Sequence, residues 1–428
     1  MDSPRQSDTS SPAEPCSPTC VDTPATQSSV LFDGNLDELL RNLPLHQYIL
    51  VTGGLGFIGS HTTLELLKAG YNVIVIDNLS NCYQSVFDRV HHLAQKHHDE
   101  RKTRMPALHL GAQDYRDTGA LKELLKQYQL QSGWDSPRSK IAGVIHFAAY
   151  KAVEESIKNP LKYYANNVSG LIDFVTTLGE YGIKTFIFSS SATVYGTLAT
   201  SGLPLKEELC AHKDEVYQDG AVDRTIKAGC TGITNPYGRT KWMCEAILAD
   251  LAASDPEWTI VALRYFNPIG CDESGLLGED PRQTPTNLLP VVVKVMTGEY
   301  KELQMFGTDW DTSDGTAVRD FIHVTDLARG HIAALDAANA GQLVENFRAF
   351  NLGTGRGHSV MEVVDTMQSV SSKQIPTRAA PRRPGDVGSC VAVATRSQEE
   401  LHWKTEKSLA DACGNLCKFL EVSSLSFP

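Results

Sequence analysis

Long apolar runs are missing from this sequence of 428 residues. None approaches the roughly 18 residues a helix needs to cross a bilayer, so no membrane span is expected. A surplus of positive charge is missing as well, because 39 lysines and arginines stand against 51 aspartates and glutamates, a formal charge of −12. That balance opposes non-specific binding to nucleic acid or to an anionic membrane, so neither is expected as a partner and any phosphate must be held by a local device. The first thirty or so positions carry no apolar signal core, and Arg5 is their one basic residue. Neither secretion nor organelle import is signalled, and a cytoplasmic protein is expected.

Zinc-type CxxC pairs are absent too. The ten cysteines (Cys16, Cys20, Cys82, Cys210, Cys230, Cys244, Cys271, Cys390, Cys413, Cys417) are scattered and read as reduced thiols of an intracellular protein. Cys16/Cys20 and Cys413/Cys417 are four apart but have no neighbouring histidine or second pair, so no metal site is expected. His91, His92, His97 and His98, in the basic stretch 91–104, are read as a solvated helix face before they are read as ligands. The sequons at Asn78 and Asn167 are discounted for want of a route to the secretory system.

What is present is globular: 41% hydrophobic and 21% charged residues, with length for one large domain or two. Residues 1–45 form a tail rich in Ser, Thr and Pro at its start, which cannot bury enough surface to offset ordering entropy and is expected to be disordered. From Gln47, short apolar runs (YILVT, VIVID, ALHLG, GVIHFAA, TFIFSSS, IVALRYF) alternate with helical patterns at 57–69, 84–97, 117–129, 160–181 and 236–254. Strand followed by crossover helix predicts an α/β fold with a doubly wound parallel sheet, the Rossmann type, over 46–270. The polar stretch 198–234 interrupts it as a lid or an insertion. Past 270 the alternation fades to helical patterns near 286–298, 324–338, 359–370 and 407–420. Residues 271–428 are expected to form a smaller C-terminal α/β substrate-binding region, part of it returning to the first domain.

Gly53-x-x-Gly56-x-x-Gly59 follows the first strand and opens the first helix. Glycines there let backbone amides approach a pyrophosphate at the positive helix N-terminus. Asp77 ends the second strand, where a carboxylate accepts both hydroxyls of an adenosine ribose and repels a 2′-phosphate; this favours NAD over NADP. Asp114 and Phe147-Ala148-Ala149 follow the third and fourth strands at the carboxyl edge, where ligands bind in such sheets.

Tyr237 and Lys241, four apart at a helix start, share one face. The ammonium is expected to lower the phenol's pKa toward neutrality. Ser189-Ser190-Ser191 ends the fifth strand and offers a hydroxyl to share the substrate proton.

Together, TGGLGFIGSHT, IDNLSN, HFAAYKAVEES, YYANNVSG, FSSSATVYG, NPYGRTK, LRYFNPIG, GTAVRDFIHV and PRRPGD resemble the extended short-chain dehydrogenase/reductase family, and within it the UDP-glucose (UDP-galactose) 4-epimerases, from about Tyr48 to His402. The resemblance implies a catalytic triad of Ser191, Tyr237 and Lys241. It implies NAD on the loop Gly53, Gly56, Phe57, Ile58, Gly59, on Asp77, Asn78, Ser80 and Asn81, on Asp114 and Tyr115, on Phe147, Ala148, Ala149 and Lys151, and on Asn167, Lys241 and Tyr265. The UDP-sugar is then expected on Lys151, Ser191, Tyr237, Asn267, Asn287, Leu288, Arg319, Arg383 and Asp386, two arginines clamping the diphosphate. The implied reaction interconverts UDP-glucose and UDP-galactose through a 4-ketosugar, and the implied assembly is a homodimer through the helices near 84–97 and 160–181. Cys390 aligns with the position beside the sugar's 2-substituent, and its small volume is expected to admit N-acetylhexosamines.

The stretch 198–234 is longer than the family pattern, and the C-terminus lacks the family's Trp- and Pro-containing ending. Rival readings are another nucleotide-sugar epimerase, a 4,6-dehydratase, and a non-catalytic NAD-sensing regulator. The dehydratase needs a carboxylate acid/base beside the serine, where this chain has Ala192 and Thr193. The regulator has no use for Ser191, Tyr237 and Lys241 together.

Overall fold

Runs of β-branched and aliphatic residues set the strands, and the glycine and polar turns between them set the crossovers. The computed structural model describes residues 47–424 except 131–136, 201–203, 220–221, 283 and 286, so the expected tail 1–45, with Cys16 and Cys20, lies outside the described residues. The chain runs β1 (Tyr48–Thr52), α1 (Phe57–Lys68), β2 (Asn72–Ile76), α2 (Ser85–Arg101), β3 (Leu108–Gly111), α3 (Thr118–Lys126), β4 (Ile141–His146), α4 (Gly170–Glu180) and β5 (Thr185–Ser191). The hairpin β6 (Glu215–Asp219) and β7 (Val222–Ile226) follows, then α5 (Pro236–Ser254), β8 (Thr259–Tyr265), β9 (Asn267–Ile269), α6 (Leu288–Met296), β10 (Leu303–Phe306), β11 (Val318–His323) and α7 (Val324–Asn339). Last come β12 (Phe347–Leu352), β13 (Gly357–Ser359), α8 (Val360–Ser371), β14 (Thr377–Ala380), β15 (Ser389–Cys390) and α9 (Leu409–Ser424).

The central sheet has seven strands in the order β12-β8-β5-β4-β1-β2-β3. Every pairing in it is parallel. The chain winds outward from β1 to β3, returns to β4, and winds the other way, so the order reverses between β1 and β4. A crevice opens there at the strands' carboxyl ends, the place where open α/β sheets bind ligands. Side chains alternate between faces with the strand period of two. Ile49, Val51, Val73, Val75, Val261 and Leu263 pack into one core, with Leu64 and Leu67 of α1 and Leu335 of α7. Leu50, Ile74, Val144, Phe186 and Ile260 pack into the other, with Phe174 of α4 and Leu248 of α5. A third core (Leu289, Val292, Phe321, Val364, Met367, Leu416) holds the C-terminal helices against β11. β12 joins the sheet beside β8, in parallel.

One expectation is refined: residues 91–101 of the basic stretch continue α2, with His91 and His92 exposed. His98 is buried, bonded through Nε2 to the Leu67 carbonyl (2.9 Å) and through Nδ1 to the Thr103 hydroxyl (2.7 Å). Among the described residues no group of three or more His, Cys, Asp or Glu could hold a metal ion, and no helix is long and apolar enough to cross a membrane. The stretch 198–234 carries the hairpin of β6 and β7. Only Ala199 and Thr234 of its described residues line the main cavity, while Glu207 reaches behind the sheet to accept from the Asn351 amide of β12 (2.7 Å).

Candidate active site

The glycine loop is shaped by close approach. A Cβ at Gly59 would lie 2.1 Å from the Gly53 carbonyl oxygen. Gly53 sits at φ +67, and a Cβ there would lie 2.9 Å from the Ala148 amide. Only glycine lets β1, the start of α1 and the strand end after β4 meet this tightly. Gly56, the N-cap of α1, has no capping side chain, and the helix's first turn has no acidic residue. The orphan amides and the positive helix end are thus left for an anion, which fits a pyrophosphate. Asp77 closes β2 with its carboxylate fixed by the amides of Leu55 (3.0 Å) and Leu79 (2.9 Å) and by the Cys82 thiol (3.3 Å).

One continuous cavity of about 1240 Å³ runs from this loop across the sheet edge to the C-terminal region. That exceeds the usual 300–1000 Å³ ligand pocket, as two large ligands side by side require. The structure brings together around it Gly53, Gly56, Phe57, Ile58, Gly59, Asp77, Asn78, Ser80, Asn81, Tyr115, Phe147, Ala148, Ala149, Lys151, Lys241 and Tyr265. Ser191, Tyr237, Asn267, Asn287, Arg319, Arg383, Asp386 and Cys390 line it as well.

It does not bring Asp114, Asn167 or Leu288 to the cavity wall. Asp114 is turned to Arg116 (2.7 Å) and to the Asn78 amide (3.0 Å), and the Arg116 guanidinium holds its carboxyl down at about 2. Asn167 lies in a π-helical turn (Tyr164–Ser169) and brackets the Tyr150 backbone, accepting from its amide (2.9 Å) and donating to its carbonyl (3.0 Å). It shapes the loop that carries Lys151. Leu288 starts α6 and packs against the third core.

α5 begins where the sequence places it: Pro236 is at its first turn, and the Asn235 side chain caps it by accepting from the Gly238 amide (2.8 Å). Tyr237 and Lys241 therefore share a face. The structure does not show the expected lowering of the phenol pKa. Burial pushes the Tyr237 phenol up to about 12, countered in part by a hydrogen bond with Ser191. The reason is where Lys241 goes. Its ammonium, 3% exposed, donates to the Ser189 carbonyl and hydroxyl (3.3 Å to the latter) and stands 5.9 Å from the Tyr237 ring centre. Burial lowers its own pKa to about 8. The Thr193 hydroxyl donates to Ser191 Oγ (3.0 Å).

On the opposite wall, Arg319 of β11 pairs in register with Cys390 of β15 and is fixed by the Val318 and Val387 carbonyls (2.8 Å each). Arg383 is paired with Asp386 (2.9 Å) and lies over the Phe306 ring at 4.7 Å. Burial pushes the Cys390 thiol up to about 11, so it stays neutral.

Sequence reasoning missed Glu279, which accepts from both Lys151 and Asn287 (3.1 Å each) and links the two walls. It also missed a buried charge network behind the serine strand. Glu245 accepts from Arg264 (Nε 3.1 Å, Nη2 2.7 Å), from His212 of the insertion (2.8 Å) and from the Ser190 hydroxyl. Arg264 and Glu245 are both 0% exposed. The signals were available: an arginine inside the apolar run IVALRYF, and a glutamate four residues after Lys241.

The family model described as "NAD dependent epimerase/dehydratase family" matches residues 49–353. The chain is 41% identical over 367 residues to the UDP-glucose 4-epimerase of Bacillus subtilis, covering 86% of this chain and 95% of that one. It is 41% identical over 387 residues to the UDP-glucose 4-epimerase of Homo sapiens, covering 89% and 98%. Among solved structures, the UDP-glucose 4-epimerase from Bifidobacterium longum in complex with NAD+ and UDP is similar with a TM-score of 0.74 and 40% identity, over 89% of this chain and 100% of that one.

Proposed function

The chain belongs to the NAD dependent epimerase/dehydratase family, and on that premise we propose how its site works. It is an NAD-dependent UDP-glucose 4-epimerase, interconverting UDP-glucose and UDP-galactose through a 4-ketosugar. The observation that carries the assignment of roles is that the glycine cradle, the Ser191, Tyr237 and Lys241 group, and the Arg319 and Arg383 wall line one cavity.

NAD, when bound on the glycine cradle and Asp77, supplies a hydride acceptor and donor at its nicotinamide ring. Tyr237 takes the proton of the sugar 4-hydroxyl, directly or through Ser191, and gives it back on the return step. Pushed up to about 12 by burial, the phenol holds its proton at neutral pH. Lys241, one helical turn on and 5.9 Å from the Tyr237 ring centre, would favour the phenolate by its charge once its ammonium turns from Ser189 toward the phenol. Arg319 and Arg383 hold the diphosphate, so the UDP end stays fixed while the ketosugar turns its other face. Asn267 and Asn287 read uracil and sugar hydroxyls. Cys390, small and neutral, lines the cavity where a 2-substituent lies, which extends the substrate range to N-acetylhexosamines. Ala192 and Thr193 give no carboxylate beside Ser191, which tells against a 4,6-dehydratase.

In this reading residues 46–270 hold the cofactor and 271–428, apart from β12, hold the nucleotide sugar. The chain works as a homodimer in the cytoplasm. Support for the first is the exposure of the large apolar side chains Ile157 (43%), Leu161 (80%) and Ile172 (43%). Support for the second is that the eight described cysteines are all free. Chromatography of UDP-galactose incubations with the wild type and with Tyr237→Phe tests the roles: UDP-glucose must form with the first and not the second, and equal turnover removes Tyr237 from the base position.

A further inference from the structure

Residues 77–83, between β2 and α2, and residues 278–282, before α6, contain no helix or strand, so individual contacts must fix their shape. In the first loop Leu79 sits at φ +56, in the left-handed region that disfavours a residue with a Cβ. Two local bonds hold this turn, from the Leu79 amide to Asp77 (2.9 Å) and from the Ser80 amide to the Asn78 side chain (3.1 Å). The later part of the loop is held from a distance. Arg282 donates through Nε to the Cys82 carbonyl (2.7 Å), a bond between residues 200 positions apart. Its guanidinium also lies over the Tyr83 ring, 4.5 Å from the ring centre.

An arginine on an exposed aromatic ring is a common surface contact and by itself contributes little. Where this one sits gives it a role. Ser80, Asn81 and Cys82 line the main cavity, and so do Glu279, Asp280 and Pro281, so Arg282 ties two walls of one space together. Three residues before it, Glu279 accepts from Lys151 (3.1 Å), beyond β4. The short segment 279–282 thus grips the loop after β4 at one end and the loop after β2 at the other. In the sheet β1 lies between β4 and β2, so these two loops flank the glycine cradle that follows β1. Cys82 carries the contact inward: it is 5% exposed, and while its carbonyl accepts from Arg282 its thiol donates to the Asp77 carboxylate (3.3 Å).

We propose that Arg282 is a positioning residue for cofactor retention: it fastens the segment 279–282 as a strap beside the glycine cradle and holds Cys82, and through it Asp77, in place for the adenosine ribose. Release of the cofactor then requires the strap to let go of the Cys82 carbonyl and the Tyr83 ring. Without Arg282 the carbonyl turns to water, the ring loses its cation, and the loop that carries Asn78, Ser80 and Asn81 opens more readily. The effect falls on the rate at which NAD leaves, since Arg282 has no contact with Ser191, Tyr237 or Lys241 in the interactions described. The inference rests on the reading of this wall as an NAD site.

Cofactor release from the full chain tests this. Protein loaded with NAD is desalted, and the nucleotide that passes a spin filter is measured over time. Arg282→Ala releases NAD about tenfold faster than wild type, the scale of one charge-assisted hydrogen bond with one exposed cation–π contact. Tyr83→Phe, which keeps the ring, stays within about twofold of wild type, while Tyr83→Ser releases about threefold faster. In the Tyr83→Ser background Arg282→Ala accelerates release by less than it does alone, because half of its contact is already gone. Turnover of UDP-galactose by Arg282→Ala decays in step with the released NAD and returns when NAD is added. Release from Arg282→Ala within about twofold of wild type overturns the proposal, as do effects of Arg282→Ala and Tyr83→Ser that simply multiply. A loss of turnover that added NAD does not restore shows a merely structural arginine and sinks the idea as well. Should Arg282→Ala not fold, Tyr83→Ser decides alone, reading the same contact from its other side. A wild type that neither holds nor binds NAD refutes the cofactor reading and this proposal with it; NAD held equally well by wild type and Arg282→Ala refutes the proposal alone.

Discussion

Substituting Glu245 by Gln tests whether the buried network behind the serine strand carries both stability and alignment. The change keeps shape while removing the negative charge that faces Arg264, which is 0% exposed. It also puts an amide donor among donors, since Arg264, His212 and the Ser190 hydroxyl all point at the Glu245 carboxylate. Leaving one member of a buried pair uncompensated costs about 3–5 kcal/mol. The titration agrees in scale. Burial opposes the charged form of Glu245, but the Arg264 guanidinium and the His212 hydrogen bond outweigh it and hold the carboxyl at about 2, from an ordinary 4.5. At 1.36 kcal/mol per unit this corresponds to about 3 kcal/mol. The folded pKa is depressed, so the contribution is complete above about pH 4.5 and is lost as pH falls toward 2.

An unfolding entropy of about 2.1 cal/mol/K per residue, over a folded part of roughly 380 residues, converts 3–5 kcal/mol into a melting-temperature drop of about 4–6 °C at pH 7.5. Thermal unfolding followed by circular dichroism, with NAD at a fixed concentration, reads this. The gap between wild type and Glu245→Gln should narrow below pH 4.5. The paired change Glu245→Leu with Arg264→Met should recover part of the stability, because both charges leave together. Ser190 lies between Ser189, which holds Lys241, and Ser191, so kcat should fall in Glu245→Gln as well. A melting temperature within 1 °C of wild type at neutral pH, or a gap that does not change with acid, refutes this account of the network.

Other consequences follow from single contacts. Tyr237→Phe should keep bound NAD, seen as cofactor released on denaturation, while turnover falls by about 10²–10⁴, the range for removing a general acid–base; retained activity would move the base elsewhere. Gly59→Ala puts a methyl 2.1 Å from the Gly53 carbonyl oxygen, so the purified protein should contain no NAD and lose about 1–3 kcal/mol of stability to overpacking; NAD at full stoichiometry would mean the loop has room to relax. Cys390→Tyr should abolish turnover of UDP-N-acetylgalactosamine while sparing UDP-galactose, measured side by side by chromatography; an unchanged ratio of the two rates removes Cys390 as the determinant of breadth.

The parallel sheet was legible because its signals are local. Each strand is one apolar run, each crossover one amphipathic stretch, and Pro236 after Asn235 marks the start of the catalytic helix within a residue. The cofactor cradle was legible for the same reason, since Gly53, Gly56 and Gly59 lie in one short loop. What escaped depends on pairing across long separations. Glu245 meets His212 and Arg264 through the fold, and a charge in an apolar run gives no sign of its partner. Lys241 was expected to act on Tyr237, but a backbone carbonyl of β5 draws its ammonium away, which side-chain spacing cannot reveal. Asn167 shows what a motif position leaves open: its side chain holds the Tyr150 backbone, a contact between distant parts of the chain that the motif does not announce. The hairpin of β6 and β7 was hidden because the insertion's polar composition does not distinguish strand from loop.

The central claim is that this chain moves a hydride out of and back into one sugar carbon on a cofactor it keeps. A proton NMR time course of purified protein with UDP-galactose and no added NAD tests it most directly. The account predicts the appearance of UDP-glucose signals with no accumulating keto product, approaching the same ratio from either sugar. Unchanged UDP-galactose, both without NAD and after NAD is supplied, would contradict it.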